Sequence, residues 1–202
     1  MDHQKAFISI RYWLIGRNYH TALDALEFAH KFHQGTRKDG VTPEYQHQLD
    51  IAHFLRTLIN HLSHPEETLA ATFLHDTAED ADVGFDEINT RFGLKIGGAV
   101  KAMTKKHRGY KKPIDVYYRE IGENEIASIC KGGDRVNNIQ TMIGVFAQQK
   151  QVEYMKETIE YVLPMLKSAR RLFTRQEPAY ENIKIMLRNQ IALIQAVHNA
   201  QF

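Results

Sequence analysis

Pro65-Glu66-Glu67-Thr68-Leu69-Ala70-Ala71-Thr72-Phe73-Leu74-His75-Asp76-Thr77-Ala78-Glu79-Asp80 places a helix start, an apolar body and a charged end in one continuous stretch. Proline suits a first helical turn, where its missing N–H costs nothing, and the two glutamates suit the positive end of the helix dipole. Leu69, Ala70, Phe73 and Leu74 then recur at helical spacing, so the segment reads as a helix ending between Asp80 and Gly84. At that end Glu79 stands one turn after His75, and Asp80 one turn after Asp76. Unpaired charge buried beside an apolar body is costly, so a bound cation is the economical explanation. His75 and Asp76 offer it an imidazole nitrogen and a carboxylate oxygen. Glu79 and Asp80, a turn away, suit the handling of a water at the metal. The competing reading is a solvated helix end with a chance His-Asp pair.

The same periodicity extends in both directions. Ala22, Leu26, Ala29 and Phe32 or His33 mark a helix over Asn18 to His33, and Ile51, Leu55, Leu58 and Leu62 mark another. Between them Gln34 to Pro43 is polar, with two glycines and a proline, and reads as a loop. Helices are expected over Phe85 to Phe92 and Leu94 to Met103. The basic run Lys105-Lys106-His107-Arg108-Gly109-Tyr110-Lys111-Lys112-Pro113 is expected to be a mobile loop, either meeting phosphates or simply solvated. Helical spacing resumes at Ile114 and runs through Ile143, then over Val152 to Leu172 and Tyr180 to Phe202. Pro164 is expected to kink or end its helix, and Thr174 to Pro178 reads as a late linker. No strand series or repeat is visible. The expected class is all-α: one domain over residues 1–202, an HD-type helical bundle, with 175–202 as an additional C-terminal helix.

Composition narrows the function. The 202 residues are 43% hydrophobic and 25% charged, with a formal net charge of +2, which fits a globular domain and not a nucleic-acid coat. No apolar run approaches the ~20 residues of a membrane helix, and no basic start with an apolar core marks an export signal, so a cytoplasmic protein is expected. Cys130 is the single cysteine, excluding an internal disulfide. Beside Ile126 and Ile129 it reads as a buried thiol more readily than as a nucleophile.

Two further segments add to His75-Asp76. His47 lies one turn before Ile51, on the inward stripe, as either a core histidine or a ligand, whereas His53 points elsewhere. In Lys131-Gly132-Gly133-Asp134-Arg135-Val136-Asn137-Asn138-Ile139-Gln140-Thr141, the residues Asp134, Asn138 and Thr141 form a polar line beside an apolar line of Val136, Ile139 and Ile143. Such a helix suits the wall of a cleft. The two glycines imply either close approach of another group or a helix break before Asp134.

The ordered set His47, His75-Asp76 and Asp134 in Asp-Arg-x-x-Asn resembles the metal signature of the HD superfamily. More narrowly, the chain resembles the (p)ppGpp hydrolase branch of the RelA/SpoT family from about Tyr19 to Leu166. The likeness includes Arg37-Lys38-Asp39-Gly40, His75 to Asp80, Lys131 to Thr141, and Glu157-Thr158-Ile159 with Pro164. The resemblance implies one Mn2+ held by His47, His75, Asp76 and Asp134, with Glu79 and Asp80 activating water. It implies Arg37 and Lys38 on a guanine ring, and Asn138 and Thr141 on base or sugar. It further implies a hydrolase taking pyrophosphate from the 3′ position of a guanosine alarmone; with few residues after the matched region, a stand-alone enzyme opposing an alarmone-making enzyme is expected. The same site acting on (p)ppApp or the 2′-phosphate of NADPH stays open, as does a silent nucleotide sensor. The sequence departs from the family at Tyr45-Gln46-His47-Gln48, where Tyr-Ile-x-His-Pro is usual, and at Asn137, where histidine or tyrosine is common.

Overall fold

The computed structural model describes residues 2–200, with side chains through residue 198. Its helices are α1 (His3–Gly16), α2 (His20–His30), α3 (Gln46–Thr57), α4 (Pro65–Leu74), α5 (Thr77–Asp80), α6 (Phe85–Phe92) and α7 (Leu94–Met103). After a hairpin of β1 (Lys106–His107) and β2 (Tyr110–Lys111) come α8 (Ile114–Gly122), α9 (Glu125–Thr141), α10 (Gln148–Glu157), α11 (Leu163–Leu172) and α12 (Glu177–Ala200). The all-α expectation holds, and α1 adds a helix that no sequence pattern had marked. The last two residues of the expected C-terminal helix, Gln201 and Phe202, lie outside the described residues.

α4 is the hub. Its residues from Thr68 to Leu74 are all buried, so it is apolar all round and packs against α2, α3, α7 and α9. Glu66 does more than complement its own helix: its Oε1 accepts the N–H of Thr21 at 2.7 Å, capping the start of α2, which has no cap of its own. α9 is buried along most of its length, and its N-terminus is capped by Asn124 through Ile126 N and Ala127 N at 3.1 and 2.9 Å. That cap separates α8 from α9, where periodicity alone implied one long helix.

The glycines of α9 are close-approach positions, and the helix runs unbroken through them. A Cβ at Gly132 would lie 2.9 Å from Ile183 Cγ2 of α12, and one at Gly133 would lie 3.1 Å from Ile51 Cγ2 of α3. The C-terminal helix is therefore built into the bundle. Ala179, Tyr180, Ile183, Leu187, Ile191 and Ile194 are its buried face. The stretch expected as a linker is instead a packed corner: a 3-10 turn over Thr174–Gln176 whose buried Gln176 accepts Ser63 N and donates to Glu125 O.

Pro164 does not end its helix. A π turn over Thr158–Val162 widens the helix just before it, leaving Pro164 in the first turn of α11. Ile143 does not continue the apolar line of α9; it lies past the helix end and is half exposed. The basic run is an ordered hairpin and not a loop. Arg108 and Gly109, at φ of 47° and 83°, form the two-residue turn that matches strand twist. Among the described residues, no helix is long and apolar enough to cross a membrane.

Candidate metal centre and nucleotide cleft

The helix of the His75-Asp76 segment does not run on to Asp80. It stops at Leu74, turns through His75 and Asp76, and restarts as α5. The carbonyls freed at the end of α4 are reused: Thr72 O accepts His75 Nδ1 at 2.8 Å, and Leu74 O accepts the Thr77 hydroxyl at 2.7 Å. With its Nδ1 proton committed, His75 turns Nε2 toward Asp76 Oδ2 at 3.0 Å and Asp134 Oδ1 at 3.9 Å.

His47, in the first turn of α3, is held in the same way from another side. Its Nδ1 donates to Asn137 Oδ1 at 2.7 Å, and its Nε2 faces Asp134 Oδ1 at 3.0 Å. A backbone or amide oxygen can only accept, so both imidazoles keep a proton on Nδ1 and present Nε2 to one point. Ligand atoms of His47, His75 and Asp134, all buried, lie within 4.8 Å of one another. Asp76 stands at the edge of this trio, where Gln48 Nε2 donates to its Oδ2 at 3.3 Å. Two oriented imidazoles beside carboxylates fit a first-row divalent cation, and the outer hydrogen bonds are those that orient metal-binding histidines.

Charge in the cluster is tightly balanced. Burial works against ionised His75, but Asp76 and Asp134 outweigh it and raise its pKa to about 9. Burial likewise opposes ionised Asp76, yet His75 and His47 bring it down to about 2. Asp134 is held well below the usual carboxylate range, against its burial, by Lys131 and His47. Lys131 Nζ donates to Asp134 Oδ2 at 2.6 Å, and Asn138 Nδ2 donates to Oδ1 at 2.6 Å.

Glu79 and Asp80 are exposed on the rim of the cleft. Glu79 Oε2 accepts Lys105 N at 3.0 Å, and His107 Nδ1 donates to Ala78 O at 2.8 Å, so the hairpin buttresses the acidic pair. Within the basic run Lys105 reaches the cleft, while Arg108 pairs with Asp82 and Lys112 with Glu120. Partial desolvation of its carboxyl within the cleft first, then the charges of Asp76, Glu79 and Glu44, raise Asp80 to about 6, where a carboxylate can exchange a proton near neutral pH.

The loop with Arg37 and Lys38 is ordered. Thr36 and Pro43 pair across it, Arg37 N donates to Thr42 O at 2.8 Å, and Asp39 Oδ1 accepts Val41 N and Thr42 N at 3.0 and 2.9 Å. Its base is pinned by buried Tyr45, whose hydroxyl donates to Leu26 O at 3.0 Å. Arg37 Nη2 crosses to Thr141 Oγ1 at 3.4 Å, and Lys38 Nζ lies 5.2 Å from the Phe146 ring centre. The ten candidate site residues expected from sequence line one cavity of about 580 Å³: Arg37, Lys38, His47, His75, Asp76, Glu79, Asp80, Asp134, Asn138 and Thr141. That is a nucleotide-scale volume.

Several contributors were given no role from sequence. Asn137 orients His47, and its place three residues after Asp134 on one helix is the only hint. Lys131 is the ion partner of Asp134 at i,i+3. His33 and Glu44 line the cleft from opposite ends of the Arg37 loop; burial holds His33 below its ordinary pKa against the pull of Asp76 and Glu44. His53 points away, as expected, with Nε2 on Ala6 O at 3.0 Å. Cys130 is a buried thiol, as expected, donating to Thr68 O at 3.3 Å.

Comparison with known proteins agrees with this layout. The HD domain family model matches residues 25–113. Over 146 residues the chain is 32% identical to guanosine-3′,5′-bis(diphosphate) 3′-pyrophosphohydrolase of Aquifex aeolicus (strain VF5), covering 70% of this chain and 20% of that one. Over 154 residues it is 28% identical to the protein named GTP pyrophosphokinase rsh of Brucella melitensis biotype 1, covering 70% of this chain and 19% of that one. The chain thus spans about one fifth of the length of these curated relatives. A solved structure described as a metazoan ortholog of SpoT that hydrolyzes ppGpp aligns with a TM-score of 0.66 at 19% identity, over 86% of this chain and 94% of that one. That likeness is one of fold.

Proposed function

This chain carries an HD domain homologous to the SpoT/RelA family, and we propose that it is a metal-dependent hydrolase of guanosine alarmones that cleaves the 3′-pyrophosphate. Water would add to the phosphorus next to the 3′ oxygen, giving GDP or GTP and pyrophosphate. The observation that carries the reading is the convergence of two imidazoles, each locked through Nδ1, on Asp134 within a cleft that also holds the Glu79-Asp80 pair.

His47, His75, Asp76 and Asp134 would hold the ion, with Mn2+ the favoured occupant of a mixed nitrogen-oxygen set. The ion would act as a Lewis acid on the phosphoryl group. The chain's own groups do the rest. Glu79, tethered to Lys105 N, and Asp80 together activate and position the attacking water. Arg37 and Lys38 hold the guanine, the planar guanidinium stacking on the ring. Asn138 and Thr141 contact base or sugar on the α9 wall, and Phe146 and Tyr154 supply apolar cover. Lowering alarmone levels, and so opposing an alarmone-making enzyme, would be the biological consequence.

The test is Mn2+-dependent release of pyrophosphate from ppGpp. Glu79→Ala and His75→Ala should each lower turnover by at least about 10²-fold while remaining folded. Undiminished turnover in both variants would sink the assignment. The same assay run with (p)ppApp and NADPH separates the neighbouring substrates, and tight ppGpp binding without product release would mark a sensor.

A further inference from the structure

A second cluster of ligand-type side chains occupies the cleft. His33, Glu44 and Asp80 bring one imidazole and two carboxylates together, their ligand atoms all within 4.8 Å of one another. His33 is 3% exposed, and its Nε2 is buried with no hydrogen-bond partner among the described residues. Its Nδ1 faces Glu44 Oε1 at 3.8 Å, a distance suited to an ion pair and too long for a hydrogen bond. A buried imidazole nitrogen without a partner is costly, and native structures pair such groups. Glu44 is held from its other oxygen, Oε2 accepting Gly35 N at 3.4 Å, so Oε1 stays turned toward His33.

The surroundings are rich in negative charge. Glu44, Asp76, Glu79 and Asp80 all line the cleft. A polyphosphate entering such a wall meets repulsion unless cations intervene. One imidazole plus carboxylate oxygens is a donor set for a hard or borderline divalent ion such as Mg2+ or Mn2+.

We propose that His33, Glu44 and Asp80 form a second divalent-cation site, separate from the His47-His75-Asp134 centre and at the same cleft. The ion there satisfies the His33 ring and offsets the acidic wall. Its expected use, to hold a phosphate oxygen of the incoming nucleotide, rests on the function proposed above; its existence does not.

Stoichiometric binding of Mn2+ to the full chain, followed by loss of the free-ion electron paramagnetic resonance signal, tests this without any turnover. The wild-type protein should take up two ions. Glu44→Gln and His33→Gln should each take up one, and His47→Gln should also retain one, in the second site. Uptake of a single ion by the wild type, lost in His47→Gln and kept in Glu44→Gln, would overturn the second site and leave the first intact. Two ions in both Glu44→Gln and His33→Gln would overturn it as well. A single ion kept in His47→Gln and lost in Glu44→Gln would uphold the second site and remove the metal centre on which the proposed hydrolysis depends.

Discussion

Asn137→Ala removes the acceptor that holds His47 Nδ1, while leaving every ionisable group of the proposed centre in place. The bond is 2.7 Å long, and the two residues are 7% and 8% exposed, so solvent has little access to replace it. Leaving a buried donor unsatisfied costs about 1–3 kcal/mol. Losing an outer-sphere partner of a metal-binding histidine typically weakens metal affinity by about 10–100-fold, or roughly 1.4–2.8 kcal/mol. The two ranges overlap, because both describe a ring that no longer has one preferred tautomer and orientation. Mn2+ affinity, measured by competition with a fluorescent chelator, should therefore fall by about that factor. Asn137→Asp should recover the loss, since a carboxylate accepts the same proton and makes the ring a better donor. Thr141→Val, on the same helix but bonded to Arg37 and to Asn137 O, should leave affinity unchanged. Affinity within twofold of wild type in Asn137→Ala would refute the claim that Nδ1 locking builds the site.

Other consequences can be measured directly. His75 is raised from 6.5 to about 9 in the folded chain. Its contribution to stability is therefore complete below pH 6.5 and lost as pH rises through 9, amounting to at most roughly 3.5 kcal/mol. Chemical denaturation of the metal-free protein should give lower stability at pH 9.5 than at pH 7, and no difference would contradict the pairing with Asp76. Mn2+ binding must displace that proton, so calorimetry at pH 7 in buffers of different ionisation enthalpy should detect its release. Gly132→Ala should lower the melting temperature, because overpacking against Ile183 costs about 1–3 kcal/mol against a helix-propensity gain of about 1 kcal/mol. A rise of several degrees would contradict the close approach. Burial pushes the Cys130 thiol up to about 12, so a disulfide reagent should label it only after unfolding; rapid labelling of the native protein would argue against the buried placement.

Much of the site could be read from sequence because its residues come in local patterns. His75-Asp76 with Glu79-Asp80, and Asp134 with Asn138 and Thr141, are each fixed by spacing along one short segment. The helix class was equally visible, since an apolar stripe survives whatever the neighbours do. What escaped depends on partners far away in sequence. The break after Leu74 is set by side chains that return to the freed carbonyls of Thr72 and Leu74. Helical spacing alone carried that helix on to Asp80. The hairpin at Arg108-Gly109 puts an arginine at positive φ, against ordinary preference, and is held by contacts to Ala78 and Glu79. Asn137 looked like a departure from the family pattern, yet its oxygen supplies the acceptor that His47 needs. α1 and the Thr174–Gln176 corner were missed because their order comes from packing, which composition does not reveal.

α9 is wedged through its two glycines between Ile51 and Leu55 on one side and Ile183 and Leu166 on the other. Lys131, Asp134, Asn137, Asn138 and Thr141 all project from this one rod, so they shift together or not at all. One residue inserted after Gly133 would rotate everything beyond it by about 100° and advance it by about 1.5 Å, carrying Asp134 and Asn137 away from His47 at a stroke. The loops around the cleft can change length by contrast, since each brings its own anchor. Descendants of this chain should therefore diverge by insertion in the loops and only by substitution within α9, and α12, whose Ile183 closes the wedge against Gly132, should be inherited with it.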